Sequence, residues 1–361
     1  MSDIRNVAVI GMGIGRSHIL DGYVSNGDKF RVIALCDLSP ERMDAVGEEF
    51  GISRRVTSFE DVLAMDDVDV IDVCTPPNLH FPMVMAALKA GKHVVCEKPL
   101  VGSLAQVDAI VAQEKVSRGL LMPVFQYRFG DGIEQVKAII DAGIAGRPFV
   151  GTVETFWRRD ADYYAVPWRG KWASELGGVL MGHAIHPHDM FTYLMGDIAR
   201  IFGRVATRVN PIEVEDTITA SLEMKSGALA SFTATLGDVG NMTRLRLAFE
   251  NVSFESDHTP YSPGDKLWTI EPRNGETKAR IDALLKDWVH VPPGYATQMA
   301  RFHAALMGTG PLPITSADSR RSLELVTAFY HSSSTHKDVA LPIAPDHPLY
   351  HSWVPPDFRS S

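Results

Sequence analysis

Residues 5–20 read RNVAVIGMGIGRSHIL, from Arg5 to Leu20. The apolar run ending at Ile10 has the length and composition of a buried strand. Gly11, Gly13 and Gly15 then make a turn, and the chain continues as a helix toward Asn26. Strand, glycine turn and helix together form the entry to a doubly wound nucleotide-binding sheet. Glycines let the backbone approach a pyrophosphate closely, and the helix that follows presents its amides and positive dipole end to it. The spacing departs from the usual fingerprint. The third glycine, Gly15, stands one place early and Arg16 occupies the usual glycine position, which implies a shorter turn. The next strand, 31–36, closes on Asp37, roughly 20 residues on, where an acid accepts hydrogen bonds from the adenine ribose hydroxyls. Its charge disfavours a 2′-phosphate, so NAD is expected over NADP. Gly11, Met12, Gly13, Ile14, Gly15 and Asp37 are the cofactor-binding candidates from this stretch, and Arg42 reads as solvated.

Outward from here the alternation continues. Ser39-Pro40-Glu41 starts a helix that Gly51 ends, and Ser58 with Asp61 and Ser103 with Gln106 are capping patterns. Apolar runs at 68–74, 93–96 and 120–125 read as further strands, with helices between them. Regular βα alternation means a parallel sheet covered on both faces. After a helix over 131–142 the pattern changes. Strands are expected at 148–157, 200–208, 215–224, 227–236 and 243–256, several alternating as in Asp216–Met224 (DTITASLEM). That is the pattern of a sheet with one wet face. Helices are expected at 177–195, 297–307 and 316–335, the last two closing the second domain. The fold class is therefore α/β followed by α+β: a Rossmann domain over 1–121, a domain on a large, mainly antiparallel, open-faced sheet over 122–343, and an irregular tail over 344–361.

Composition narrows the function classes. At 361 residues and 45% hydrophobic, the chain can bury two cores. A net charge of −9 gives no electrostatic support for nucleic-acid binding. No segment reaches the ~18 consecutive apolar residues of a membrane helix, and no basic start with an apolar run and cleavage site precedes the first strand. Cys36, Cys74 and Cys96 have no metal-like spacing and read as buried, reduced thiols. The expectation is a cytoplasmic protein that uses no metal.

Three further motifs carry a resemblance: Thr75-Pro76-Pro77-Asn78-Leu79-His80, Glu97-Lys98-Pro99, and the stretch Gly177–Asp189, GGVLMGHAIHPHD. In this order, and with the late helix and final strand over Ser322–Ile343, the chain resembles the glucose–fructose oxidoreductase / inositol dehydrogenase / MocA-like family almost throughout. The resemblance implies an NAD(P)-dependent dehydrogenase of sugars, sugar derivatives or cyclitols. It also implies a homodimer or homotetramer formed through the C-terminal sheet. Carried onto this chain, it implies cofactor contacts at Thr75, Pro76, Asn78, His80, Glu97 and Lys98. Lys98 also touches substrate, and His186 is the acid/base. Independently, ligands of a doubly wound sheet bind beyond the carboxyl ends of its strands, where Thr75 and Glu97 fall. An ammonium stabilises a developing alkoxide, and a near-neutral imidazole takes the hydroxyl proton.

Family members commonly carry an Asp four residues before the catalytic His; here that position is Gly182. Helical spacing puts Gly182, His186 and Asp189 on one face, as it does His183 and His186. Asp189 or His183 therefore orients His186, or a substrate hydroxyl takes the space at 182. His188 is expected to face away. The resemblance further places Arg128 near the nicotinamide and the substrate, and Trp168-Arg169 on the cofactor. It puts Trp157-Arg158 on the substrate, where aromatic faces suit sugar rings and guanidinium groups suit hydroxyls or an acid. Two other readings stay open: an NAD-dependent glycosidase that oxidises transiently with no net redox change, and a non-catalytic NAD-sensing or partner-binding protein.

Overall fold

The computed structural model describes residues 3–358. The chain divides into two compact units. The first runs through Val124 and takes in Tyr295–Arg320; the second holds Phe125–Gly294 and the chain from Arg321 onward.

The first unit is built on six strands: β1 (Arg5–Ile10), β2 (Phe30–Cys36), β3 (Arg54–Val56), β4 (Val70–Val73), β5 (His93–Cys96) and β6 (Leu121–Pro123). They order as β3-β2-β1-β4-β5-β6 and every pairing is parallel. β4 is buried at every residue, as a strand covered on both faces must be. The helix entries follow the capping chemistry of the sequence. Ser39, Ser58 and Ser103 accept from the amides of Arg42, Asp61 and Gln106 at 3.2–3.3 Å. Gly51 ends the helix Pro40–Phe50 with φ +69°. β3 is short and carries no periodic signal, and it was not foreseen. Cys36, Cys74 and Cys96 are buried free thiols.

One expectation about domain assignment is corrected. The helix foreseen at 297–307, observed as Tyr295–Leu306, packs in the first unit rather than closing the second. It lies against the helical segment 15–26, where a Cβ on Gly22 would stand 3.2 Å from Met299 Cγ and 3.4 Å from Tyr295 Cβ. Asn26 Nδ2 donates to Ala296 O across the same contact. Periodicity marks the helix; it does not say which sheet the helix covers.

The second unit carries an eight-stranded sheet: β7 (Pro148–Arg158), β8 (Ile198–Ala206), β9 (Thr217–Met224), β10 (Leu229–Thr235), β11 (Gly237–Phe249), β12 (Val252–Glu255), β13 (Thr269–Pro272) and β14 (Val339–Ala340). The order is β13-β12-β11-β7-β10-β9-β8-β14, and only β7/β10 is parallel. Along β9, Ile218, Ala220, Leu222 and Met224 are buried while Thr219, Ser221 and Glu223 are exposed, the period of two expected of a half-wet sheet. The single strand foreseen at 243–256 is a hairpin instead. Glu250 and Asn251 form the loop, and Ala248 pairs with Ser253. A two-residue loop without glycine gave no turn signal. The helix Gly275–Leu285, capped by Asn274 on the amide of Thr277, was also missed. The tail is irregular but anchored, since Trp353 Nε1 donates to Leu176 O at 2.7 Å. No helix among the described residues is long and apolar enough to cross a membrane.

Candidate active site

The turn after β1 is shaped for close approach. Gly11 has φ +93°, and a Cβ there would stand 2.7 Å from Cys74 O. A Cβ on Gly13 would meet nothing within 4 Å, so the backbone there is open to a ligand. A Cβ on Gly15 would stand 2.9 Å from Val9 Cγ1, so this residue lets the helix close onto the strand. The third glycine's task thus falls one place early. The missing residue is recovered just downstream, where the helix widens into a π turn over His18–Tyr23. A π turn holds one residue more than an α turn and so restores the helical phase. Ile14 is exposed at the helix entry. Asp37 ends β2 with its side chain 7% exposed. One of its oxygens accepts from Met12 N at 2.7 Å; the other accepts from Ser39 N at 2.8 Å and Arg42 Nη2 at 3.2 Å. Asp37 therefore braces the glycine turn as well as closing the strand, and Arg42, 61% exposed as its solvated reading expects, also pairs with it. This geometry fits a dinucleotide's pyrophosphate and ribose.

The next two loops of the same sheet edge carry the remaining first-unit candidates. Thr75 and Pro76 are half-buried past the end of β4, and Asn78 is exposed on the short 3₁₀ turn Pro77–Leu79. His80 is corrected from cofactor contact to internal tie. It is fully buried, with ring nitrogens 2.8 Å from Pro99 O and 2.8 Å from Thr75 O, so it joins the Thr-Pro-Pro loop to the Glu-Lys-Pro loop. Burial holds its pKa below the ordinary histidine value. Glu97 is likewise buried, and its Oε2 accepts from the amide of Lys98 at 2.9 Å. Its Oε1 accepts from His18 Nε2 and from Tyr295 Oη, both at 3.0 Å. His18 Nδ1 stands 2.8 Å from Asp72 Oδ2, which also accepts from Tyr23 Oη at 2.9 Å. His18, Asp72, Tyr23 and Tyr295 were not singled out in the sequence. The available signal was an acid in the middle of an otherwise apolar strand, VIDV. One ligand atom each of His18, Asp72 and Cys74 lie within 4.8 Å of one another, a donor set of metal type. Both ring nitrogens of His18, however, already face carboxylate oxygens.

In the second unit, Gly177 and Gly178 lead into a helical run over 180–195 that opens as a π turn, Leu180–Ala184, and continues as α-helix, Ile185–Met195. The buried carboxylate of Glu215 caps its start, accepting from Gly178 N and Leu180 N at 3.0 Å and from Tyr330 Oη at 2.8 Å. Burial outweighs those bonds and pushes Glu215 up to about 7. His186 lies on this run, 5% exposed, stacked on the ring of Tyr127 at 4.4 Å between centroids. His183 Nε2 is 3.2 Å from Tyr163 Oη, and Trp157 meets the His183 ring edge-on at 5.3 Å. A Cβ on Gly182 would meet nothing within 4 Å, so the place of the family's Asp is open space. Asp189, expected to orient His186 or hold substrate, is engaged by Arg128 in a buried fork. Nε donates to Oδ2 at 2.6 Å and Nη2 to Oδ1 at 2.5 Å. Arg128, expected on cofactor and substrate, is 4% exposed with its guanidinium 4.7 Å from the Tyr193 ring centre. His188 does face elsewhere, as expected: it stacks on Phe232 at 4.4 Å and Phe329 at 6.0 Å in the core.

Strand pleating separates the Trp157-Arg158 pair. Trp157 is buried and donates from Nε1 to Thr243 Oγ1 at 3.0 Å, while Arg158 points to the opposite face, 61% exposed, 3.4 Å from Asp160. Arg159, which the sequence reading passed over, takes the aromatic side. Its guanidinium lies 5.1 Å from Trp157, 5.0 Å from Tyr163 and 5.9 Å from Tyr261. Arg169 stacks on Trp168 at 4.5 Å and on Tyr163 at 4.0 Å, and pairs with Glu175 at 3.7 Å.

Comparison with known proteins matches two family models in sequence. The oxidoreductase family model with an NAD-binding Rossmann fold covers residues 5–125, and the C-terminal domain model of the same family covers 133–255. The myo-inositol 2-dehydrogenase of Thermotoga maritima is 30% identical over 62% of this chain and 66% of its own length, so the match spans just under two thirds of that relative. The D-apiose dehydrogenase of Rhizobium rhizogenes is 27% identical over 85% of this chain and 89% of its own. The WlbA dehydrogenase of Bordetella pertussis, solved with NADH and UDP-GlcNAcA, superposes with a TM-score of 0.84 at 26% identity, over 95% of this chain and 100% of that one. The glycine turn, the parallel sheet beneath it and the antiparallel sheet of the second unit therefore have one common origin: the chain belongs to the glucose–fructose oxidoreductase, inositol dehydrogenase and MocA family of NAD-binding oxidoreductases.

Proposed function

We propose that the protein oxidises a secondary hydroxyl of a sugar, sugar derivative or cyclitol, with Lys98 as electrostatic partner and His186 as acid/base. The observation that carries the reading is the placing of Lys98 directly after β5, on the same carboxyl-terminal sheet edge as the glycine turn and Asp37. The relatives' substrates, myo-inositol and D-apiose, support the substrate class. NAD supplies the hydride acceptor when bound. The chain's own work is electrostatic and protonic. The Lys98 ammonium stabilises negative charge growing on the carbinol oxygen, and the His186 imidazole takes the hydroxyl proton. The open space at Gly182 receives a substrate hydroxyl on the His186 side of the helix. Asp37 selects NAD against NADP by repelling a 2′-phosphate. The exposed, Ser/Thr-rich face of the second sheet joins copies into a homodimer or homotetramer.

A screen of NAD reduction over pyranoses, glycosides, uronic acids, D-apiose and inositols tests the substrate class. With the best substrate, Lys98→Ala and His186→Ala each lower turnover by roughly 10² or more while NAD affinity holds. Near-normal turnover in either variant removes that residue from the mechanism.

A further inference from the structure

We propose that His18, held as a two-donor cation between Asp72 and Glu97, is a positioning residue that fixes the loop carrying Lys98. The inference rests on the role given to Lys98 above.

The geometry sets the protonation. Nδ1 of His18 is 2.8 Å from Asp72 Oδ2 and Nε2 is 3.0 Å from Glu97 Oε1, and both side-chain pairs are buried. A neutral imidazole carries one N–H, so its second nitrogen would aim a lone pair at a carboxylate. With both carboxylates ionised, each ring nitrogen faces an acceptor and both must donate. Burial alone would strip the proton; the charge of Asp72 and its hydrogen bond outweigh it and hold His18 well above the ordinary histidine range. The described groups facing the cluster include Tyr23, Cys74, Tyr295 and the buried thiol of Cys96. Tyr23 Oη donates to Asp72, Cys74 Sγ donates to Asp72 Oδ1 at 3.4 Å, and Tyr295 Oη donates to Glu97.

The consequence runs outward through Glu97. Its Oε1 is held by His18 and Tyr295, which leaves Oε2 aimed at the amide of Lys98. The amide of Glu97 is itself tied to Val73 O at 2.9 Å, so the backbone on both sides of the peptide is anchored. His18 is the first residue of the π turn and is fully buried. A buried, fully bonded ion network of this kind gives one geometry rather than extra stability. That geometry is the position from which the Lys98 side chain departs.

The test uses the full-length protein and three variants. His18→Gln strands two buried carboxylates and is the variant that risks unfolding; Glu97→Gln and Tyr295→Phe loosen the same grip without stranding a charge. Imidazole nitrogen NMR of the wild type shows both His18 nitrogens protonated at pH 8; a single N–H there overturns the proposal. Amide exchange across 97–101 rises about fivefold or more in Glu97→Gln and Tyr295→Phe; unchanged exchange overturns it without any substrate being needed. With a sugar from the screen, both variants lose about tenfold in kcat with KM for sugar unchanged, and neither lowers turnover further in a Lys98→Ala background. Losses that multiply in the double variants overturn the positioning role while leaving Lys98 in the mechanism. Near-normal turnover of Lys98→Ala alone overturns both.

Discussion

Acid should weaken the second unit in part through His188. It is buried, stacked between Phe232 and Phe329, and its Nε2 has no hydrogen-bond partner. Burial alone lowers its pKa to about 3. The unfolded chain binds this proton near pH 6.5 and the folded chain only near pH 3. Between those values the unfolded state holds about one proton more, so stability falls as pH falls, by about 1.4 kcal/mol per pH unit. The whole window amounts to about 5 kcal/mol, an appreciable share of a domain's stability. His188→Phe keeps a flat ring in the same stack and removes the titration. All six tryptophans lie in the second unit, so urea unfolding followed by tryptophan fluorescence reports on that unit. Measured from pH 7.5 to 4.5, the difference between variant and wild type should widen by about 2 to 3 kcal/mol below pH 6.5. The carboxylates titrate equally in both proteins and cancel. Parallel stability profiles refute the argument, because they mean that His188 takes up its proton in the folded state as easily as in the unfolded one.

Other outcomes follow from the same reasoning. Glu215 is the opposite case: its folded pKa of about 7 lies above the unfolded 4.5, so its contribution is full below pH 4.5 and is lost as pH rises to 7. Glu215→Gln should flatten about 3 kcal/mol of that decline in the same unfolding assay. Gly178→Ala places a Cβ 1.7 Å from Glu215 O, so the turn that starts the His186 helix must move. A fall in stability of more than about 3 kcal/mol is expected, and a normal melting curve would contradict it. Asp37→Ser removes the charge that repels a 2′-phosphate and a bond that braces Met12 N. NAD binding should weaken and the NAD-to-NADP preference fall at least about tenfold in titration calorimetry, with no change in preference counting against the ribose role.

Much of this protein was legible along the chain. The glycine turn, the Ser39, Ser58 and Ser103 caps, the positive-φ stop at Gly51 and the alternation of β9 are local events, set by residues within one turn of each other. The position of Lys98 at a strand end was legible for the same reason. The hairpin at Glu250-Asn251 and the strand β3 were not, because neither carries a glycine or a period to mark it. Period two already places Trp157 and Arg158 on opposite faces of β7. The site's inner supports were hidden for a different reason. His18 and Asp72 are 54 residues apart, and Glu97 and Tyr295 are 198 apart.

The sequence by itself determined the nucleotide-binding sheet, its cofactor turn, the family and the loops that bear the candidate chemistry, because these follow from nearest-neighbour backbone preferences and from motifs read in order. Only the tertiary structure decided that Asp189 answers to Arg128, that His80 ties two loops, and that one imidazole lies between two carboxylates beneath Lys98. A buried charge takes whatever counter-charge the packing brings within about 3 Å, and which one that is depends on how distant segments close together rather than on any local preference.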